Sequence, residues 1–462
     1  MSMKIEKIPA YHIDTIDGTM QEITVFSESG RNLLLGKNGN MFLCSDEILD
    51  EIKNNVIEDK LFVPLVQHGL LSIGDMNQNS DKDLEVHPVF FMIDMTNRCN
   101  MACKYCLRER EDSDKAYSIS SEMLIKICDY IISYCRQTGE ERITIQPWGG
   151  EPLLETEKIY KLQDYFEEHG LYPAISIETN GILLNESVLE KMHRRNIWIS
   201  VSIDGPEKVH DAQRVFTNGK NTHALVEKNL LNLKEKNNGN VSVLITVTKK
   251  TYLNIREIIR YFALDLGLHS IKINFVHKSN FVDNDNLCLD KEEISKCTEM
   301  VFDTILELNE EGVEIGDYNI YTKMSNLLFH TLSDVCISNG CHGGRRMIAF
   351  DQNGGIFPCD VTDYKEECLG NINDNDSLVE VINQAISTHA YFAEKHEQKC
   401  DSCPWHVYCR GGCTVHLKTQ GLNPPATDDI ECAVNSVLYP KMIELILNDP
   451  MKVNRLIGRE VL

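Results

Sequence analysis

Three cysteines lie close together at Cys99, Cys103 and Cys106, directly after an apolar stretch that predicts a strand. Three thiolates on one loop can hold three corners of a four-iron cluster, which leaves one iron open to a substrate or cofactor. Zinc is the alternative, but a zinc site needs a fourth Cys or His nearby, and this loop contains no histidine. The loop is therefore a first candidate for chemistry.

A second, larger set of cysteines lies near the carboxyl end of the chain. Its spacing is Cys336-x4-Cys341-x12-Gly354-x4-Cys359, followed by Cys400-x2-Cys403-x5-Cys409-x3-Cys413-x18-Cys432. Part of this pattern has the spacing of a zinc ribbon, which is the alternative to an iron–sulfur site. Of the remaining cysteines, Cys128 and Cys135 lie on a predicted helix among apolar residues, so we expect them to pack in the core.

Short polar motifs follow the next predicted strands. They are Gly149-Gly150-Glu151-Pro152, Thr179-Asn180-Gly181 and Ser202-Ile203-Asp204-Gly205-Pro206, and Arg214 lies twelve residues after Ser202. Paired glycines let a ligand approach the backbone closely, and a carboxylate suits an ammonium ion. Any one such motif is more often a simple turn. Because active sites collect at the carboxyl ends of parallel strands, we expect the whole set to form one site with the cysteine loop.

The sequence around these motifs alternates between predicted strands and predicted helices. Strands are predicted at Val89–Met95, Arg142–Ile145, Ala174–Ile177, Ile197–Ile203, Val241–Val247 and Ser270–Phe275. Helices are predicted at Ser120–Thr138, Glu157–Glu168, Glu186–Arg195, Ala224–Lys236 and Ile255–Leu266, with one more from Asp290 to Gly312. This alternation predicts a parallel α/β sheet with right-handed crossovers, either flat or curved into a partial barrel.

Three further segments complete the predicted organisation. Residues 1–74 contain strands near Tyr11–Ile16, Glu22–Phe26 and Asn32–Leu35, a helix start at Ser45 and Asp46, and a second helix near Asp59–Gln67. This order predicts a winged-helix-like module, the alternative being a plain extension packed on the main domain. Residues 75–88 are polar and predict a linker. The core domain then spans 89–312, and a cysteine-rich domain spans 313–462.

The composition excludes several classes of protein. The chain of 462 residues carries a net charge of −24, which disfavours nucleic acid and anionic membranes as partners. It lacks a signal-peptide pattern, and its apolar stretches are far shorter than the roughly 20 residues of a membrane span. We therefore expect a cytoplasmic protein, in which 17 cysteines bind metal or take part in catalysis rather than form disulfides.

The cysteine loop, with Tyr105 before its last cysteine, and the Gly149–Pro152 motif resemble the radical S-adenosylmethionine (SAM) superfamily. The resemblance implies a partial (β/α)6 barrel in which SAM chelates the open iron of a [4Fe–4S] cluster held by the three cysteines. It also implies SAM-binding roles for Tyr105, Gly149, Gly150, Glu151, Pro152, Asn180, Ser202 and Arg214. Trp148 departs from the Phe or Gln that is common in close relatives, and this change can reshape the pocket.

The carboxyl-terminal array is similar to the complete seven-cysteine pattern of the SPASM domain. The resemblance implies two further [4Fe–4S] clusters, so that the chain would carry three. The nearer cluster would use Cys336, Cys341, Cys359 and Cys413, and the outer one Cys400, Cys403, Cys409 and Cys432. If Cys336 is not a ligand, the nearer cluster has an open iron that could bind a substrate thiol.

Taken end to end, the chain resembles the radical SAM oxidoreductases that mature ribosomally made peptides by forming thioethers, as in sactipeptide and ranthipeptide biosynthesis. The resemblance implies a precursor peptide whose leader binds the N-terminal module as an added strand, and an electron donor of flavodoxin or ferredoxin type. Carbon–carbon cross-linking maturases share the architecture. An anaerobic sulfatase-maturing enzyme, which forms formylglycine, is a further alternative. Asp360 matches the general base of those enzymes, or it simply orders its loop.

Two other classes fit less well. A non-enzymatic electron carrier would not need the open cluster corner or the GGEP motif, and a tRNA-modifying enzyme conflicts with the charge of −24.

Overall fold

The computed structural model describes residues 3–13, 18–57, 59–73, 86–108, 116–279, 283–331, 334, 336–360, 365–392, 398–422 and 425–458. The described residues between 3 and 73, here called the N-terminal module, form two antiparallel sheets and two helices. The strands are β1 (Lys4–Ile8), β2 (Tyr11–Ile13), β3 (Gly18–Met20), β4 (Ile23–Glu28), β5 (Arg31–Gly36), β6 (Met41–Ser45) and β7 (Leu71–Ile73), and the helices are α1 (Asp46–Lys53) and α2 (Asp59–Gln67). One sheet has the order β1-β4-β5-β6 and the other β2-β3-β7.

The module contains more strands than its sequence predicts. The three expected strands correspond to β2, β4 and β5, whereas β1, β3, β6 and β7 are additional. These four are short and lack a clean alternation of apolar and polar residues, so their hairpin partners define them. The helix start is confirmed, because Ser45 caps α1 by accepting a hydrogen bond from the backbone N–H of Ile48. Residues 14–17 and most of the predicted linker lie outside the described residues.

The six predicted core strands are all present and parallel. They are β8 (Phe90–Thr96), β9 (Thr144–Gly149), β10 (Ala174–Thr179), β11 (Trp198–Ser202), β12 (Ser242–Val247) and β13 (Ser270–Phe275). The helices are α3 (Ser121–Thr138), α4 (Thr156–Glu168), α5 (Glu186–Arg194), α6 (Glu207–Asp211), α7 (His223–Lys236), α8 (Ile255–Arg260), α9 (Lys291–Glu310) and α10 (Tyr318–Phe329). Each strand pairs with the next along the chain, so all six carboxyl ends meet at one edge.

Local sequence explains these elements. Phe91, Ile93 and Met95 on one face of β8 and Met92, Asp94 and Thr96 on the other are all buried, as expected for a parallel strand covered on both faces. Ser120 caps the N-terminus of helix α3, because its hydroxyl accepts a hydrogen bond from the N–H of Met123, and Gly139 caps the C-terminus in the left-handed conformation.

The carboxyl-terminal region extends the same sheet. Its strands are β14 (Gly316–Asp317), β15 (Met347–Phe350), β16 (Gly355–Phe357) and β17 (Gly370–Asn371), and its helices are α11 (Leu378–Thr388), α12 (His406–Cys409), α13 (Thr414–Thr419), α14 (Asp429–Asn448) and α15 (Pro450–Ile457). Strand β14 pairs with β13, and β15 pairs in parallel with β8, giving a ten-stranded sheet. A strand of only four residues carries too little pattern for β15 to be predicted from sequence.

An aromatic stack joins the N-terminal module to the carboxyl-terminal region. Phe26 of β4 stacks on Trp405, Trp405 on Tyr439, and Tyr439 on Tyr408, with ring centroids 5.4, 5.3 and 4.9 Å apart. The Tyr408 hydroxyl donates a hydrogen bond of 2.6 Å to the carbonyl of Gly39. No helix in the described part of the chain is long and apolar enough to span a bilayer.

Candidate active site

A cavity of about 1380 Å³ lies at the carboxyl edge of the parallel strands. It brings together residues from both cysteine sets and from every strand-end motif. The predicted site residues that line it are Cys99, Cys103, Tyr105, Cys106, Gly149, Gly150, Glu151, Pro152, Asn180, Ser202, Arg214, Cys336, Asp360 and Cys413. The cavity therefore connects the cysteine loop at one end with the carboxyl-terminal cysteines at the other.

The cysteine loop is held against the end of β10. The Cys99 sulfur accepts a hydrogen bond from the N–H of Met101 at 3.4 Å and from the side-chain amide of Asn180 at 3.7 Å. Asn180 also donates to the side chain of Asn100 at 2.7 Å. Burial raises the pKa of Cys99 to about 12. A thiolate at this position therefore needs a positive partner, which a bound metal supplies.

Tyr105 links the cysteine loop to two buried charges. Its hydroxyl donates to the carboxylate of Asp204 at 2.8 Å and accepts from the Arg214 guanidinium at 2.6 Å. Asp204 also accepts hydrogen bonds from the Gln213 side chain and from the N–H of Thr246. Among the described residues, Nε of Arg214 is buried and has no hydrogen-bond partner. Arg214 thus keeps one donor that a ligand could use.

The glycine motif at the end of β9 forms a close turn over the loop after β8. Gly149 has a φ of 135°, which disfavours other residues, and a Cβ on Gly150 would clash with the backbone of Arg98. The Glu151 carboxylate is buried and accepts hydrogen bonds from the N–H of Leu153, the Thr179 hydroxyl and the N–H of Asn180. Burial raises the pKa of Glu151 despite these donors. Glu151 therefore ties the ends of β9 and β10 together.

Four carboxyl-terminal cysteines lie near one another, and two of them, Cys336 and Cys413, line the far side of the cavity. Cys336, Cys341, Cys359 and Cys413 are close enough for their charges to interact, although they lie far apart in sequence. The Tyr391 hydroxyl lies 3.4 Å from the sulfur of Cys341 and 3.7 Å from that of Cys359. Sequence reasoning did not single out Tyr391, because no motif or spacing marks it.

The other four cysteines lie further from the cavity. Cys400, Cys403 and Cys432 are near enough to interact electrostatically. Cys409 ends α12, and its pKa is raised first by burial and then by the charge of Glu431. Lys291 donates a hydrogen bond of 3.3 Å to the sulfur of Cys432.

The remaining predicted residues occupy distinct positions. Asp360 is exposed to the cavity directly after the buried Cys359, and the side chain of Trp148 forms part of the cavity wall. Cys128 and Cys135 are buried, as expected. Sequence reasoning also missed Lys272, which lines the cavity from β13. An isolated lysine in a strand carries no motif that could have identified it.

Two family models match the chain. The radical SAM superfamily model matches residues 93–262, and the model of the SPASM iron–sulfur cluster-binding domain matches residues 341–404. A cysteine-type anaerobic sulfatase-maturating enzyme of Clostridium perfringens is 24% identical over 330 residues, covering 68% of this chain and 85% of that protein. The radical SAM cyclopropyl synthase TigE of Paramaledivibacter caminithermalis is 24% identical over 365 residues, covering 76% and 73%.

Solved structures show the same fold. The structure of anSMEcpe with bound AdoMet has a TM-score of 0.66 at 21% identity, covering 80% of this chain and 98% of that one. Streptococcus suis SuiB bound to the precursor peptide SuiA has a TM-score of 0.54 at 16% identity, covering 87% and 96%.

The residues around the cavity fit SAM and iron–sulfur clusters. The three loop thiols lie beside a turn that only glycines can form, and the unpartnered donor of Arg214 is available to a polar ligand. Burial raises the pKa of Cys359 well above its usual range, so iron bound there would stabilise the thiolate. On these matches and this geometry, the chain contains a radical SAM domain within residues 93–262 and a SPASM iron–sulfur cluster-binding domain within residues 341–404.

Proposed function

We propose that this protein is a peptide maturase that installs a thioether between a cysteine sulfur and a carbon of a ribosomally made precursor peptide. The observation that carries the proposal is the N-terminal module, fixed by the aromatic stack beside the cysteine-rich region. SuiB, solved with its precursor peptide, covers 87% of this chain, whereas anSMEcpe covers 80%. A module outside the catalytic cavity suits a substrate that is recognised at a distance from the bond being formed.

The module offers a specific place for a leader peptide. Strand β6 pairs only with β5 among the described residues, so it is an edge of its sheet. An edge strand presents main-chain donors and acceptors to an added strand. We propose that the leader pairs with β6, whose Leu43 is 47% exposed and provides apolar contact.

The proposed reaction assigns roles to this chain's own residues. Cys99, Cys103 and Cys106 would hold the first cluster, which would supply the electron for cleavage of SAM and so the radical chemistry that removes a hydrogen atom from the substrate carbon. Arg214 and the glycine turn hold SAM, and the cavity walls exclude water and align one C–H bond. Forming the C–S bond also releases the thiol proton and one electron. We propose that Asp360, which lines the cavity, accepts the proton. The electron would pass to the cluster that Cys336, Cys341, Cys359 and Cys413 would hold.

Formylglycine formation is the second candidate. It is favoured by the sulfatase-maturating relative and by the exposed position of Asp360 in the cavity. Carbon–carbon bond formation is a third candidate, because the chain is similar to the cyclopropyl synthase TigE. One experiment distinguishes all three.

The test is incubation of the reduced, iron-reconstituted protein with SAM and a cysteine-containing candidate precursor peptide, sought among the short reading frames beside its gene. Mass spectrometry before and after thiol alkylation separates the outcomes. A thioether removes two hydrogens and one alkylatable thiol. A carbon–carbon bond removes two hydrogens but keeps the thiol, and formylglycine yields an aldehyde that reacts with a hydrazide. Retention of every thiol would contradict the thioether proposal.

A further inference from the structure

Lys272 and Glu178 lie inside the cavity on the same side of the parallel sheet. In the strand register Glu178 is opposite Ser200, Ser200 opposite Ser242, and Ser242 opposite Ser270. Lys272 is two residues beyond Ser270, so its side chain points to the same face. Both side chains line the cavity. Lys272 stands level with Leu244 and Ser202, at the end of the strands where SAM is expected.

Lys272 differs from the other cations of the cavity in its contacts. Arg98 pairs with Glu155, Arg108 with Asp94, and Lys323 with Glu431. Within the part of the chain that the structure describes, the Lys272 ammonium makes no hydrogen bond and no ion pair. The ammonium instead lies over the ring of Tyr318, 5.3 Å from the ring centroid. Glu178 likewise has no ion pair or side-chain hydrogen bond among these residues.

The two charges are nevertheless close enough to influence each other. Burial lowers the pKa of Lys272, but the negative charges of Glu178, Asp334 and Cys336 more than offset this, and the pKa lies above its ordinary value. Lys272 is therefore a cation held more than 4 Å from its nearest carboxylates. Because these carboxylates already balance its charge, a second anion would gain little here. A neutral group that both accepts and donates hydrogen bonds fits the gap better.

We propose that Lys272 and Glu178 together bind one amide group of the substrate peptide, with Lys272 donating to its carbonyl oxygen and Glu178 accepting from its N–H. The amide belongs either to the peptide backbone or to an Asn or Gln side chain. It lies between the SAM-binding strand ends and Cys336, and so sets which carbon faces the radical. This inference rests on the proposed peptide substrate.

The test is steady-state kinetics of the reconstituted enzyme with the precursor peptide, once wild-type turnover is established. Lys272→Met and Glu178→Gln should each raise the KM for the peptide about tenfold and leave the Kd for SAM unchanged. The double variant should be little worse than either single one, because both residues hold the same group. Replacing Asn and Gln residues of the peptide, and N-methylating its backbone amides one at a time, distinguishes the two sources of the amide.

Other results would overturn the inference. A Kd for SAM that weakens in step with KM would assign Lys272 to the SAM site. If the effects of the two substitutions were non-additive in thermal unfolding but additive in KM, Lys272 and Glu178 would be an internal ion pair rather than a binding site. An unchanged KM in both variants, with wild-type turnover intact, overturns this inference alone. Absence of any wild-type turnover of the peptide overturns the proposed function and this inference with it.

Discussion

Tyr105 connects the cysteine loop to the barrel through a single hydroxyl group. That hydroxyl lies between the buried carboxylate of Asp204 and the buried guanidinium of Arg214, which are themselves 4.0 Å apart. Hydrogen bonds to charged groups contribute more than neutral ones, and a buried charge that loses its partner is costly. The position of Arg214, and therefore of its free Nε, depends on this hydroxyl.

We expect Tyr105→Phe to weaken SAM binding about tenfold while leaving iron content unchanged, because Arg214 loses the acceptor that positions it. Isothermal titration of SAM into the reconstituted protein measures this. The matched control is Tyr165→Phe, since Tyr165 also donates to an aspartate, Asp129, at 2.7 Å, but at a distance from the cavity. Equal SAM affinity in the two variants would contradict the role given to Tyr105.

The cysteine assignments predict that replacing one set of cysteines removes the iron of one cluster only. Replacing Cys99, Cys103 and Cys106 by Ala should abolish SAM cleavage and leave roughly two-thirds of the iron, because two of three clusters would persist. Iron analysis and 5′-deoxyadenosine release on the same sample measure both.

The double variant Cys341→Ala/Cys413→Ala should instead spare SAM cleavage better than peptide modification. Cys44→Ala, outside both sets, is the control, and full iron content in the triple variant would refute the assignment.

At the scale of elements, the turn after β9 depends on the absence of a side chain. Gly150→Ala places a methyl group against the backbone of Arg98, which cannot move without displacing the cysteine loop. We expect a destabilisation of about 1–3 kcal/mol and impaired SAM binding. Denaturant unfolding and SAM titration measure these effects. Gly316→Ala is the control, because nothing lies within 4 Å of a Cβ at that position; equal losses in both variants would contradict the steric argument.

The elements differ in how far the sequence reveals them. Strands such as β10 and β12 are predictable because each is a compact apolar run bounded by turn residues. Strand β15 is not, since its four residues are defined by pairing with the distant β8. In the candidate site, local motifs place the glycine turn and the cysteine loop. Spacing alone does not show that Cys336 and Cys413 meet, nor does any pattern reveal Tyr391 or the pair Lys272 and Glu178.

At the scale of the whole molecule, the aromatic stack determines how the N-terminal module is held. Phe26 is fully buried, and we expect Phe26→Ala to cost about 3–5 kcal/mol and to loosen the module. Peptide modification should fall more than SAM cleavage, because the leader site is displaced while the barrel is retained. Hydrogen exchange in β4 and paired activity assays test this.

The control for that prediction is Phe62→Ala, which removes a partly buried aromatic ring that packs against the module's own core and lies away from the junction. In this variant, peptide modification should fall by an amount closer to the fall in SAM cleavage than it does in Phe26→Ala. If the loss of peptide modification relative to SAM cleavage were the same in both variants, the aromatic stack would have no specific part in peptide processing.

The parallel pairing of β15 with β8 also bears on how a substrate enters. The strand that leads to the cysteine loop and the strand hairpin that leads to Cys359 are adjacent ribbons of one hydrogen-bonded sheet. The two ends of the cavity are therefore mechanically coupled, and the distance across which an electron would travel is set by backbone hydrogen bonds rather than by a hinge. For the proposed peptide substrate, the separation of the two ends would then be set by the sheet, so selection would act on the reach of the substrate as well as on its chemistry.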